Sequence, residues 1–101
     1  MESIEVTEMQ IGVLEIRLHI PWAHSLKEKR MVVKSLLSKL RHVFNVSAAE
    51  VAEQDVHQLA VLGVACVADS AAQTDSVLDH VLDFIDQNTE ATVVGVQREI
   101  R

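Results

Sequence analysis

The chain has 101 residues, room for one domain, and a chain of this length buries about two thirds of the surface it exposes when unfolded. With 49% apolar residues it is not a disordered polymer, and with only 3% aromatics its core is aliphatic and its stacking surfaces are few. The net charge of −6 argues against general affinity for nucleic acid, but six of the nine Lys and Arg crowd into residues 27–41, where Glu28 is the only acid.

Taken in chain order, residues 1–8 (MESIEVTE) are acidic and without period, and read as a tail ahead of a single domain spanning residues 9–101. From Met9 the alternation of Leu14, Ile16, Leu18 and Ile20 against Glu15, Arg17 and His19 predicts a strand, ended by Pro21, which lacks a backbone donor. Ser25-Leu26-Lys27-Glu28 has the form of a reciprocal capping box, Ser25 with the backbone of Glu28 and Glu28 with that of Ser25. The helix it opens carries Leu26, Val33, Leu36, Leu37, Leu40 and Phe44 at helical spacing and runs to about His42. A second strand over residues 44–53 and a polar connection over 54–58 follow. Residues 59–68 are apolar on both faces, which places that strand inside the sheet. Asp69 or Ser70 caps a second helix with a stripe of Val77, Leu78, Val81, Leu82 and Ile85, closed near Gln87 with Asn88 as a left-handed C-terminal residue. The last strand covers residues 92–100, and Gly95 within it signals a bulge or a close approach.

The order strand, helix, strand, strand, helix, strand predicts an α+β, ferredoxin-like βαββαβ sandwich: a four-stranded antiparallel sheet with both helices on one face and strands one and three central. The other face then meets water. Ile11 and Val13 point there, joined by one of the two apolar sets of the third strand, and exposed aliphatics of this kind mark an interface. A homodimer through this face is the expectation, with Ile11 and Val13 at its centre.

The strongest local signal is Ser25-Leu26-Lys27-Glu28-Lys29-Arg30. It sets three cations at a helix N-terminus, where the dipole opposes each by about 0.3–1 kcal/mol, so an anion nearby would explain them. Lys27, Lys29, Arg30, Lys34 and Arg41 form the candidate phosphate- or nucleic-acid-binding set. A competing explanation is that the basic stripe of Lys27, Arg30, Lys34, Ser38 and Arg41 simply pairs, within one chain or across a dimer, with an acidic one, Asp75, Asp79, Asp83 and Asp86, on the second helix.

Catalytic and metal chemistry lack their signatures. His19 and His24 with Glu15 or Glu28 have no ligand spacing of a known metal site. No GxSxG or phosphate-cradling glycine loop occurs, Ser25 is a cap, and Cys66 lies in an apolar run as a buried thiol. Trp22, beside Pro21, reads as a lid, an interface anchor or a loop residue packed on its own domain. One cysteine, no leader and no apolar run of about 20 residues point to a cytoplasmic protein that is not an enzyme and holds no cofactor.

At His19-Ile20-Pro21, Ser25-Leu26-Lys27-Glu28-Lys29-Arg30 and Val32-Val33-Lys34-Ser35-Leu36-Leu37 the sequence resembles the YlxP-like family, small bacterial proteins of unknown function. The likeness continues through Phe44-Asn45-Val46-Ser47, Leu62-Gly63-Val64-Ala65 and Val81-Leu82-Asp83-Phe84-Ile85. It implies a ferredoxin-like fold, no known enzyme activity, and a genomic association with translation initiation and ribosome maturation. Family members begin near Met-x-Ile-Gly-Val, which leaves residues 1–8 outside the common domain. They carry a tryptophan after Gln54-Asp55, where this chain has Val56-His57. The expected function is therefore a binding protein that contacts RNA or the ribosome through the first helix. A protein–protein adaptor using the sheet face and a small-anion sensor at the helix N-terminus are the alternatives.

Overall fold

In the computed structural model, which describes residues 8–101, the alternation of the first strand is seen directly as a burial pattern. The residues 1–7 of the expected tail lie outside the described part. Strand β1 (Gln10–His19) buries Leu14, Ile16 and Leu18 completely and turns Ile11, Val13, Glu15 and Arg17 the other way. Helix α1 (Leu26–Val43) follows, then β2 (Ser47–Ala52), β3 (Leu59–Ala68), helix α2 (Ala71–Asn88) and β4 (Thr92–Ile100).

The sheet is antiparallel throughout, in the order β2-β3-β1-β4, which is the ferredoxin-like arrangement. β3, apolar on both faces, is central as expected. Register pairs Leu14 with Val64, Ile16 with Leu62 and Leu18 with Ala60, so these side chains share the face under the helices. They pack with Val33, Leu36 and Leu40 of α1 and with Leu78, Val81 and Ile85 of α2 in one core. Phe44 and Phe84 meet edge to face at 5.5 Å and 89° at its margin.

Local signals set the helix starts. Ser25 Oγ accepts the Glu28 amide at 3.1 Å and Ser70 Oγ accepts the Gln73 amide at 3.1 Å, so of the two candidate caps of α2 it is Ser70 that serves. The reciprocal arm of the first box lands one residue earlier than expected: Glu28 Oε2 accepts from the His24 amide at 2.9 Å. Asn88 is not a left-handed terminator. It is the last residue of α2, its Nδ2 donates to the Phe84 carbonyl at 2.9 Å, and the extended Thr89 ends the helix. β2 is shorter than residues 44–53, because Phe44 is consumed as the C-cap of α1, its amide bonded to the Leu40 carbonyl.

The bulge expected near Gly95 is present. Gly95 stands opposite Arg17 and Val93 opposite Leu18, which leaves Val94 as the extra residue. Gly12 has a different reason. A Cβ there would overlap Thr74 Cγ2, so α2 sits on β1 at a separation that only glycine allows.

Candidate nucleic-acid interface

α1 lies beside edge strand β2 and runs antiparallel to it, because only three residues join the two. Between them opens a groove of about 290 Å³, lined by Arg30, Val33, Lys34, Leu37, Arg41 and Glu50. The spacing 30, 34, 37 and 41 is one face of a helix, so three cations are ranked along an apolar strip formed by Val33 and Leu37. Lys27, one turn earlier, is exposed and continues the row.

Arg41 is already oriented. Its Nε and Nη2 donate to the Ala48 carbonyl of β2 at 3.2 and 2.8 Å, covering an acceptor on an edge strand and leaving other guanidinium N–H groups available. Arg30 and Lys34 are exposed, and among the described residues neither forms an ion pair.

Lys29 is not part of this surface. Its side chain is fully buried, and its Nζ donates to the carbonyls of Glu53, Val56 and Leu59 at 2.6, 2.7 and 2.9 Å. An ammonium has three donors, and all three are used. Glu50 Oε2, 2.8 Å away, supplies the countercharge without the alignment of a further hydrogen bond. Lys29 therefore leaves the set of candidate phosphate contacts: an ammonium so enclosed reaches no ligand. Its place in sequence put it next to Arg30, but one residue along a helix turns a side chain by about 100°, here toward the β2–β3 connection.

Within the chain the competing explanation is not realised: among the described residues no ion pair joins the cations of α1 to the acids of α2. Asp75 and Asp79 face Arg98 of β4, at 2.9 and 2.7 Å, and Arg98 also donates to the Asp75 carbonyl. The hydrogen bonds that the guanidinium donates to Asp79 and then Asp75 raise it above its ordinary pKa. On the opposite sheet face, Arg101 lowers the carboxyl of Glu99 by a hydrogen bond and by its charge.

The outer sheet face divides in two. Glu15, Gln97, Glu99 and Arg101 border a shallow polar depression with Val13 at its edge. Toward β2 the surface is aliphatic: Ile11 pairs with Val67 and Val13 with Ala65, and Val51 lies over Gly63. Of the two third-strand sets, it is thus the one containing Val61, Ala65 and Val67 that faces outward. Ile11 and Val13 stand on this outer face, where the strand alternation places them, partly buried by their neighbours.

Comparison with known proteins fits this geometry to a lineage. The family model described as "Protein of unknown function (DUF503)" matches residues 11–98. The chain belongs to this family. A relative, "Uncharacterized protein YlxP" of Bacillus subtilis, is 44% identical over 80 residues, covering 79% of this chain and 87% of its own length. Among solved structures, the de novo designed protein Foldit4 superposes with a TM-score of 0.54 at 14% identity, over 93% of this chain and 97% of that one. A second design, LFR1, described as having the ferredoxin fold, gives a TM-score of 0.46 at 16% identity over 91% and 84% of the two chains. The likeness to Foldit4 is one of fold alone.

In this DUF503 chain the structure adds residues to the site that the sequence pattern did not single out. Glu50 closes one wall of the groove and neutralises Lys29 from below; as the only charged residue of Ser47–Ala52, it was the visible signal. Val33 and Leu37 were assigned to the core, and they also floor the groove. Among the described residues no three of His, Cys, Asp and Glu converge as a metal site, and no helix is long and apolar enough to cross a membrane.

Proposed function

We propose that this DUF503 protein is a non-catalytic binding module whose α1–β2 groove grips the phosphodiester backbone of RNA. The observation that carries the reading is the groove itself: Arg30, Lys34 and Arg41 share it, and its one acid, Glu50, is already committed to Lys29. Two of the acids of α2, Asp75 and Asp79, are held by Arg98 of β4. Guanidinium groups anchored as Arg41 is lose little side-chain entropy on meeting a phosphate. The genomic association implied by the YlxP-like resemblance narrows the polyanion to RNA.

Fluorescence anisotropy with a labelled single-stranded RNA tests it. Four phosphates neutralised by Lys27, Arg30, Lys34 and Arg41 give a log–log salt slope of about −2.8. Arg30→Ala/Lys34→Ala removes about half of that slope and weakens binding. A flat salt response, or wild-type affinity in the double variant, rejects the reading.

A second reading rests on the outer sheet face, where Val51 and Val67 are 52% and 65% exposed beside Ile11 and Val13. A second copy of the chain covering this aliphatic half would make a two-fold dimer and leave both grooves open.

A further inference from the structure

The geometry points to a single-stranded RNA whose backbone lies along the α1–β2 groove while one unpaired base stacks on Trp22. This rests on the groove reading and specifies the ligand that the groove takes.

Trp22 is 39% exposed, a large amount for an indole in a chain with so few aromatics, and it does not sit on a loose loop. The Pro21 carbonyl accepts from Gln58 Nε2 at 3.2 Å, and the Ile20 amide donates to the Gln58 carbonyl at 2.8 Å. Ala23, the next residue, is fully buried and its amide returns to the Ile20 carbonyl at 3.2 Å. The backbone on both sides of Trp22 is therefore pinned in a short turn.

The same bonds fix where that turn is. Gln58 belongs to the β2–β3 connection, which Lys29 clamps to the first turns of α1 through the carbonyls of Glu53, Val56 and Leu59. Because β2 runs antiparallel to α1, Arg41 marks one end of the groove at Ala48, and Arg30 with Glu50 marks the other. The turn that carries Trp22, tied to Gln58 and leading into the start of α1, is at that second end. Glu53 and Asp55, exposed on the connection, repel a phosphate, so the backbone leaves the groove over Lys27.

The row Lys27 to Arg41 is about 21 Å long at 1.5 Å per residue. A stacked strand, at about 3.4 Å per phosphate, meets it with about six nucleotides. A half-exposed aromatic at the end of a cationic track is the arrangement by which single strands are held without a sequence code, since every base has a π face. A duplex hides that face.

Trp22 is the only tryptophan and the chain has no tyrosine, so its emission reports this site alone. The wild-type protein is titrated with hexauridylate, with an abasic phosphodiester hexamer and with a short RNA duplex, while anisotropy follows binding separately. Hexauridylate quenches Trp22 with the same midpoint as the anisotropy; the abasic hexamer and the duplex bind more weakly and leave the emission unchanged. Trp22→Ala weakens hexauridylate binding by roughly 5- to 150-fold, the worth of one base–aromatic stack, and keeps the salt slope. Trp22→Phe restores most of the loss. Binding with silent Trp22 emission, or a Trp22→Ala protein with wild-type affinity, overturns the stacking and leaves the groove standing. Wild-type affinity in Arg30→Ala/Lys34→Ala overturns both.

Discussion

Lys29 and Arg30 are neighbours in sequence and opposites in energetics. Lys29 serves three carbonyls and one carboxylate inside the protein, so Lys29→Met strands the half-buried Glu50 and three acceptors. The loss should be about 3–5 kcal/mol, read as a lower urea midpoint. Arg30→Ala, at the exposed site, should stay within about 0.5 kcal/mol in the same assay. A Lys29→Met protein as stable as wild type would refute the clamp. Glu53, whose carbonyl the clamp holds, adopts a left-handed backbone with φ of 60°. That conformation costs a β-carbon-bearing residue about 1–2 kcal/mol, and glycine loses about 0.5–1 kcal/mol in the unfolded chain. Glu53→Gly should therefore raise stability by up to about 1 kcal/mol, and a clear loss would show that its side chain matters to the connection.

At the scale of elements, each helix depends on one serine at its start. Ser25→Ala and Ser70→Ala should each cost about 1 kcal/mol, and because the caps begin different helices and share no partner the double variant should lose their sum. Departure from additivity in chemical denaturation would mean that the caps communicate. How α2 meets β1 turns on one missing atom. Gly12→Ala drives a methyl into Thr74 Cγ2 and should cost about 1–3 kcal/mol. Thr74→Ser removes that methyl group and keeps the hydroxyl, which donates to the Ser70 carbonyl at 2.8 Å. In the Thr74→Ser background Gly12→Ala should cost much less. Equal cost in both backgrounds would place the strain elsewhere.

For the whole molecule, the groove cations and the aliphatic patch of the outer sheet face lie on different sides of the sheet. Arg30, Lys34 and Arg41 line the α1–β2 groove, Asp75 and Asp79 of α2 face Arg98 of β4, and the exposed Val51 and Val67 lie on the far side of the sheet. If two copies meet there, Val67→Asp should yield monomers in sedimentation velocity and leave groove binding intact; an unchanged mass would dismiss the dimer. The sequence by itself determined the elements, their order and the sheet plan, because periods of two and 3.6, serine caps and a strand apolar on both faces are local signals that agree with one another. It did not determine which cations face water. Lys27, Lys29, Arg30, Lys34 and Arg41 look alike as a charge cluster. Whether a lysine is a ligand or a clamp depends on carbonyls 24 to 30 residues away, which only the fold brings to it. The partner of Asp75 and Asp79 was equally invisible, since Arg98 reaches them only once β4 lies along β1. Periodicity is read along the chain, whereas charge pairing is settled across it, by contacts that tertiary packing alone creates.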